Sequence, residues 1–316
     1  MSTVDTPRLS PDLLRSCHGL SIWRHWLRLG CFIVLYVLGA GGAVMAVGRV
    51  TETWQWVLLS PLYLLAAASL HGISLLTHEA VHGTLCRNRL WNGVLGAACA
   101  MPVLQNFSAY RVLHLRHHQH LGEDGDPDHY ANYTRWTWMV FFMNWLRLLI
   151  GYPVYIVAIP ILGFRQGNLK ERLGIVAETA ITALMVGAVW LSPIPAVSIW
   201  HGWLIPMLFI NTMVNIRGMS QHTLLEHAND EIQGTRTILT SPVVRFFMCN
   251  ENYHLEHHLY PGVPWHHLPE VHEALKDELT TRGAPYIPSY TFFVGEFMRH
   301  SVNRSPLGRR HPISKP

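Results

Sequence analysis

Histidines dominate the chemistry that this sequence can perform. Residues 252–261 contain His254, His257 and His258 in an HxxHH pattern, and residues three and four apart lie on one face of a helix. Their imidazoles can therefore point at one small volume, where neutral imidazoles are able to ligate a transition metal. Taken alone, the stretch is also compatible with a surface helix rich in histidine.

Two further clusters favour the metal site. His114, His117 and His118 repeat the HxxHH spacing, and His78 and His82 form an HxxxH pair one helical turn apart. A single zinc ion takes four ligands, so the eight histidines of the three clusters predict two metal ions. Imidazole binds Zn, Cu, Fe and Ni, and the spacing by itself leaves the choice among these metals open.

The composition indicates a membrane protein. Of the 316 residues, 49% are hydrophobic and only 14% are charged, whereas about 25% are charged in a soluble domain. The net charge of +4 is small and gives no support for nucleic acid as a partner. The five cysteines are dispersed and form no CxxC pair, which indicates reduced thiols and no disulfide framework.

Four apolar runs predict membrane-spanning helices, which need about 20 residues each. The runs cover roughly residues 29–47, 54–76, 175–190 and 197–214. The apolar stretch 136–162 contains Arg147, Pro153 and Pro160, and we interpret it as interfacial or re-entrant helices. Residues 92–104 are apolar but short, and they predict a helix lying on the membrane or under a cap.

The distribution of basic residues predicts the orientation. With the N-terminus in the cytoplasm, the two outward linkers carry only Arg49, and nearly all other Lys and Arg residues face inward, as the positive-inside rule requires. This four-span topology puts all three histidine clusters on the cytoplasmic side. A single crossing by residues 136–162 would instead separate the third cluster from the second.

The predicted fold is an all-α membrane protein with four transmembrane helices and a cytoplasmic helical cap that holds the metal site. We expect one integral membrane domain over residues 1–316. It would comprise a polar N-terminal segment 1–28, a core of about residues 29–275 and a basic C-terminal tail 276–316.

The clusters and their flanks resemble the membrane fatty acid desaturase superfamily, with its three histidine boxes. Residues 110–118, followed by Asp126-Pro127-Asp128, are similar to the second box of that family, and residues 252–269 are similar to the third. The family's Arg-x-x-x-Glu-His element has a counterpart in residues 217–222, where glutamine replaces the glutamate, ahead of Thr235-Arg236-Thr237. The resemblance covers roughly residues 70–275.

The resemblance implies a non-haem di-iron centre with O2 as co-substrate. It adds a ninth histidine to the ligand set, which then consists of His78, His82, His114, His117, His118, His222, His254, His257 and His258. Side chains that could orient these imidazoles by hydrogen bonds are Glu79, Asp126, Asp128, Asn252 and Glu256. We expect five further histidines to lie on loops and helix surfaces outside the metal site: His120, His129, His266, His267 and His272. His71 falls inside the second span, as either a buried structural histidine or a group near the site, and His227 either orients a ligand or is exposed.

The implied activity is O2-dependent oxidation of a lipid hydrocarbon chain. Desaturation of a fatty acyl chain is the leading hypothesis. Hydroxylation, acetylenic-bond formation or decarboxylation of an acyl chain, and hydroxylation of a carotenoid, remain open on the same fold. The chain has no HPGG signature of a fused cytochrome-type haem domain, so a separate protein, ferredoxin-like or cytochrome-type, would have to supply electrons.

Two other classes of protein fit the histidines less well. A metal transporter should hold its ligands within the spans, near the membrane midplane. Here the clusters lie outside the long apolar runs. A purely structural membrane protein would have no need for so many positioned histidines.

Overall fold

The computed structural model describes residues 7–129, 133–134, 136–225 and 230–303. The helices are α1 (Pro11–Cys17), α2 (Ile22–Val47), α3 (Trp56–His82), α4 (Arg89–Ala100), α5 (Phe107–Gln119), α6 (Thr137–Gln166), α7 (Leu169–Leu191), α8 (Ala196–Ile199), α9 (Ile205–His222), α10 (Pro242–Phe247), α11 (His254–Leu259), α12 (Leu268–Thr281) and α13 (Tyr290–Asn303). Strands β1 (Thr237–Ile238) and β2 (Tyr286–Ile287) pair in parallel. A π-helical turn, Trp200–Leu204, joins α8 to α9. His227 and the end of the predicted basic tail lie outside the described residues.

Five of the described helical segments are long and apolar enough to cross a membrane. They are Ile22–Val47, Thr53–His82, Trp138–Gln166, Leu169–Leu191 and Ala196–His222. Four of them contain the four predicted spans, and the fifth is the stretch interpreted as interfacial. Only 6% of the apolar window in α7 and 11% of that in α6 is buried inside the protein. Apolar surface on this scale indicates contact with lipid.

Helices α2 and α3 pack with their backbones in contact. A Cβ atom added to Gly39 would lie 2.8 Å from both the Ala66 nitrogen and the Leu62 carbonyl oxygen. Ala43, one turn further along α2, is fully buried. Small residues allow this approach, which lets van der Waals contact hold two helices together where lipid removes the hydrophobic driving force.

Helix α4 packs against α3 near its histidines. The Asn92 amide donates to the Ala80 carbonyl at 2.7 Å, and the Thr77 hydroxyl donates to the Gly96 carbonyl at 3.1 Å. A Cβ atom at Gly96 would lie 2.5 Å from that of Ala80. The short helix expected on the membrane or under a cap is therefore a close partner of α3, and it holds the end of α3 in place.

Helix α6 is continuous despite its two prolines. The Asn211 amide of α9 accepts a hydrogen bond from the Tyr152 N–H at 2.8 Å and donates one to the Leu148 carbonyl at 2.6 Å. These two backbone groups would bond to each other in an undisturbed helix. Asn211 thus satisfies the backbone just before Pro153, where a proline ring disturbs the preceding turn. The sequence interpretation, interfacial or re-entrant helices, did not include one continuous helix, because this cross-helix amide cannot be recognised from the α6 sequence.

The C-terminal elements cover the end of α3 that carries histidines. The Trp265 N–H donates to Glu79 Oε2 at 3.1 Å, and Trp265 Nε1 donates to His25 Nδ1 of α2 at 3.0 Å. Leu255 and Leu268, both fully buried, belong to a second apolar core beneath α11 and α12. Beneath this cover, the ends of α3, α5 and α9 meet the short helix α11.

Candidate metal centre

The three histidine clusters and His222 converge within this covered region. His78 and His82 lie in the last turn or so of α3, and His222 is the last residue of α9. The HxxHH clusters lie on α5 and α11. All nine predicted ligands face one another, and they divide into two groups.

The first group contains five histidines: His78, His82, His114, His118 and His257. One ring nitrogen from each lies within 4.8 Å of the others. The Nε2 atoms of His114 and His82 are 3.0 Å apart, those of His118 and His114 are 3.1 Å apart, and those of His257 and His118 are 3.3 Å apart.

The second group is formed by His117, His222, His254 and His258. Ring nitrogens of His117, His222 and His258 lie within 4.8 Å of one another. His254 Nε2 lies 3.0 Å from His222 Nε2 and 3.1 Å from His258 Nε2, which brings it into the same group. The groups adjoin, because the rings of His118 and His258 stack with centroids 4.1 Å apart.

Each HxxHH cluster contributes to both groups, contrary to the expectation that its three imidazoles share one small volume. On α5, His114 and His118 serve the first group and His117 serves the second. Adjacent residues on a helix point about 100° apart at 3.6 residues per turn. The i and i+4 histidines therefore share a target, and the remaining one faces the neighbouring group.

Hydrogen bonds on the outer side of the rings fix how the second group presents its nitrogens. Nδ1 of His117 lies 2.9 Å from Asp126 Oδ1, that of His222 lies 3.0 Å from the Gly234 carbonyl, and that of His254 lies 2.8 Å from Glu251 Oε1. A neutral imidazole carries one N–H, and these acceptors hold it on Nδ1. The Nε2 atoms that face one another then carry lone pairs and no hydrogen.

Lone pairs 3.0–3.3 Å apart repel one another unless a cation lies between them. Two imidazole nitrogens, each about 2.1 Å from one metal ion, would lie roughly 3.0–3.4 Å apart for bond angles between a right angle and the tetrahedral angle. The observed separations match that spacing. In the first group, the buried His78 Nε2 has no hydrogen-bond partner among the described residues. The residues present therefore fit two metal ions, one for each group.

Burial keeps most of these imidazoles neutral. It lowers the pKa well below the usual value for five of the histidines on α5 and α11, and nearby imidazoles add to the effect: His114, His118, His254, His257 and His258. For His117, burial acts to lower the pKa, but the hydrogen bond to Asp126 and the negative charges of Asp126 and Asp128 together outweigh it, and the pKa is raised. Neutral imidazole is the form that binds a metal.

The segment Thr235-Arg236-Thr237 holds the end of α9. The Arg236 N–H donates to the Gln221 carbonyl at 2.9 Å, and its guanidinium donates to the Ser220 carbonyl at 2.6 Å. Carbonyls in the last turn of a helix have no partner within the helix, so these bonds stabilise the end of α9. They also position His222, the histidine that the sequence offered as a ligand only through the family resemblance.

Of the five acidic and amide side chains expected to orient imidazoles, two lie near a histidine of the metal centre and three do not. Asp126 contacts His117, and Asp128 Oδ2 lies 3.9 Å from the same Nδ1. The other three have partners that stabilise the fold instead. Glu79 accepts from Thr84 and Trp265, Glu256 pairs with Thr237 and His272, and Asn252 donates to the Ile238 carbonyl.

Glu251 contacts two of these histidines, and the sequence did not predict this role. Its Oε1 lies 2.8 Å from His254 Nδ1 and its Oε2 lies 3.4 Å from His78 Nδ1. The side chain is 3% exposed, and burial raises the pKa of its carboxyl to about 8, although Arg217 opposes the shift. Its position three residues before His254 is the available signal, since that spacing brings an acid back to the first histidine of a helix.

Three of the histidines expected outside the metal site have other partners in the structure. His120 packs its ring beside Gly125, and His272 pairs with Glu256. His267 Nδ1 lies 3.1 Å from Glu270 Oε2, in a small cluster with Cys17. Glu270 is 50% exposed and lies in the first turn of α12, so this cluster is a helix-end arrangement that ties α1 to α12.

Replacing Asp126 by asparagine should weaken the second group alone. The amide nitrogen would face either His117 Nδ1 or the Gly122 N–H, both of which now donate to the carboxylate. Loss of a partner that orients a ligand costs about 10–100-fold in metal affinity. We expect bound metal to fall from two ions per chain towards one, measured by elemental analysis after dialysis against a metal buffer. Two tightly bound ions in this variant would contradict the assignment of His117.

The architecture defines a class: a helical membrane protein in which two adjacent polyhistidine groups could hold metal ions at the ends of apolar helices. Residues 53–290 match the fatty acid desaturase family, and the chain belongs to that family. The resemblance carried by the three histidine boxes is thereby confirmed. The family also accounts for the enrichment of histidine in a chain that is otherwise poor in ionisable residues.

Individual relatives are distant. The chain is 23% identical over 226 residues to sphingolipid delta(4)-desaturase DES1 of Gallus gallus, covering 69% of this chain and 65% of that protein. It is 20% identical over 299 residues to sn-1 oleoyl-lipid 12-desaturase of Picosynechococcus sp., covering 84% and 80%. It is 26% identical over 260 residues to dihydrorhizobitoxine desaturase of Bradyrhizobium elkanii, covering 73% and 71%. The chain thus spans just under two thirds of the length of the sphingolipid desaturase.

Proposed function

We propose that this protein catalyses O2-dependent oxidation of a lipid hydrocarbon chain at a di-iron centre, with desaturation of a fatty acyl chain as the leading reaction. One observation carries the proposal: nine imidazole nitrogens converge in two adjoining groups at the ends of apolar helices. Desaturase relatives that act on sphingolipid and on oleoyl-lipid support a lipid substrate.

Each group has a ligand set suited to one iron ion. The first would be held by His78, His82, His114, His118 and His257, and the second by His117, His222, His254 and His258. Bound there, the metal pair supplies the two-electron oxidising chemistry with dioxygen that side chains alone lack. The chain's own contribution is to hold neutral imidazoles in fixed orientations and to cover them with α11 and α12.

Four membrane crossings are supported by the contact between two histidines. Three apolar segments, α6, α7 and α8–α9, separate His117 from His222 along the chain. If all three crossed, the two histidines would lie on opposite faces of the membrane. Their Nε2 atoms are 3.3 Å apart, so an even number of these segments crosses.

Helix α6 is the segment that would stay on one side. Near its start, the rings of Trp145 and Phe297 of α13 have centroids 5.4 Å apart. At its other end, the Gln166 carbonyl lies 3.5 Å from Arg116 Nη1 on α5, the helix of the second cluster. Contact of both ends with the layer that bears the histidines supports α6 as a tilted helix at the membrane boundary.

The charges of the loops support a cytoplasmic active site. With α2, α3, α7 and α8–α9 as the crossings, the loops that face away from the histidines carry Arg49 as their only basic residue. The positive-inside rule then puts the histidine side in the cytoplasm. A separate electron-donor protein, ferredoxin-like or cytochrome-type, would dock there, and the basic surface would favour an acidic donor.

Analysis of lipid products tests the proposal. Lipids from a host that carries the intact gene are compared by mass spectrometry with lipids from a host that carries His257→Ala. A desaturase yields a product two hydrogens lighter, whereas a hydroxylase yields one that is heavier by an oxygen atom. An acetylenase or decarboxylase would give its own mass difference. The proposal fails if no lipid depends on the intact histidine site when iron, O2 and a reductant are supplied.

A further inference from the structure

We propose that Glu251 is a positioning residue that links the two metal sites, so that they load with metal cooperatively. The inference deepens the proposed function, because it concerns the same metal centre. Glu251 lies three residues before His254, the first residue of α11, and its carboxylate is within reach of one ligand from each group. It acts on the side of the imidazoles that faces away from the metals.

The two carboxylate oxygens have separate tasks. Oε1 lies 2.8 Å from Nδ1 of His254, a ligand of the second group. Oε2 lies 3.4 Å from Nδ1 of His78, a ligand of the first group. The carboxylate favours the tautomer with the N–H on Nδ1 in both imidazoles, through a hydrogen bond to His254 and at ion-pair distance from His78, and this leaves each Nε2 free to bind a metal.

Other outer contacts in the described part of the chain serve one group each. Asp126 contacts His117, and the Gly234 carbonyl contacts His222, and both of these histidines belong to the second group. Glu251 differs in joining a histidine of α3 to a histidine of α11. Because the carboxylate is rigid, a shift of one imidazole moves the acceptor that orients the other.

An unusual backbone turn just before Glu251 determines where its side chain lies. Cys249 and Asn250, the two residues before it, have φ angles of 45° and 55°, in the left-handed region that non-glycine residues rarely adopt. The Asn250 side chain holds this turn by donating to the Trp265 carbonyl at 3.0 Å. Such strain persists where the surrounding structure enforces it, often at functional sites. Here it delivers a carboxylate between two metal ligands.

Arg217 offsets part of the cost of burying the Glu251 carboxylate. Its Nη1 lies 3.9 Å from Glu251 Oε1, and its side chain is 15% exposed. A buried carboxylate without a cation or hydrogen bonds would be costly. The guanidinium favours the ionised carboxylate, the form in which both oxygens can face an imidazole N–H.

Cooperative loading follows from the shared acceptor. A metal bound in one group fixes its histidine, and through Glu251 it fixes the orientation of the histidine in the other group. The second metal then meets a site that is already ordered, and this coupling is reciprocal by thermodynamic linkage.

The test is an anaerobic titration of the full-length, metal-stripped protein in detergent with Fe(II), measuring iron bound per chain at each free Fe(II) concentration. In the unmodified protein we expect both ions to bind in one steep step. Glu251→Gln keeps the shape but has one acceptor oxygen and one donating NH2 group, so it cannot accept from both histidines. We expect both affinities to fall by about 10–100-fold and the two ions to bind independently.

Two control variants separate this role from a general effect on the fold. Asp126→Asn should weaken one ion only. Glu256→Gln alters a fully buried carboxylate on α11 whose partners are Thr237 and His272, and it should leave both ions bound tightly. Glu251→Asp, which keeps two acceptors on a shorter side chain, should restore part of the affinity.

The inference is overturned if Glu251→Gln loses one ion only, or if its titration matches that of the unmodified protein. It is also overturned if the unmodified protein binds its two ions independently. These readouts do not depend on turnover. A protein that binds two ions cooperatively but oxidises no lipid would leave the inference intact and refute the proposed function.

Discussion

Replacing His257 by alanine is expected to abolish product formation and to remove the metal from the first group. His257 Nε2 lies 3.3 Å from that of His118, and its ring centroid is 4.5 Å from that of His78 and 4.6 Å from that of His82. Because loss of a partner that merely orients a ligand already costs about 10–100-fold, loss of a ligand should cost more than ~100-fold in metal affinity. Elemental analysis and mass spectrometry of lipid products measure the two effects.

His120→Ala is the matched control for this variant. His120 follows the second cluster closely, yet its ring packs beside Gly125 rather than in either group. This variant should bind two metal ions and keep its activity. If His257→Ala retained full metal content and turnover, or if His120→Ala lost both, the two-group arrangement would have to be abandoned. A preparation that remains fully active after removal of its iron would equally refute an iron-dependent mechanism.

Replacing Gly39 by leucine should have the largest effect on stability. Even a Cβ atom there would come within 2.8 Å of backbone atoms of Leu62 and Ala66, which cannot rotate away. Overpacking costs about 1–3 kcal/mol, and an immovable backbone favours the upper end, about 3 kcal/mol. Helix α3 would be pushed away from α2 while carrying His78 and His82, so metal content should fall together with the midpoint of thermal unfolding in detergent.

Gly41→Leu provides the comparison on the same helix. A Cβ atom at Gly41 meets nothing within 4 Å, so the new side chain would extend into open space. Leucine is a better helix former than glycine, which should leave stability unchanged or raise it by up to ~1 kcal/mol. Equal destabilisation by the two variants would show that the contact between α2 and α3 does not decide stability.

Local spacing identified eight of the nine histidines that converge in the structure, and the family resemblance added His222. Histidines at i, i+3 and i+4 share one side of a helix wherever that helix packs. Apolar length likewise predicted four helices of membrane length. The same reasoning interpreted residues 136–162 as interfacial or re-entrant helices and did not predict one continuous helix, because the Asn211 amide that bonds to Leu148 and Tyr152 comes from another helix. Prolines are read as breaks unless the structure supplies such a partner.

The orienting side chains were harder to predict. Asp126 lies eight residues beyond His118, in a turn that returns to His117, and was found through its motif. Glu256 lies within the third cluster, but its helical position turns it towards Thr237 and His272. Glu251 was overlooked because two left-handed residues before it redirect the chain, and no periodicity describes such a turn.

The sequence by itself therefore determined which histidines are candidate metal ligands and which helices are long and apolar enough to cross a membrane. Only the tertiary structure decided which histidines lie together in each group. His257 of α11 joins four histidines of α3 and α5, whereas His254 and His258 join His117 and His222. The physical reason is range: helical geometry fixes directions over a few residues, while distances between imidazoles on four different elements depend on how those elements pack.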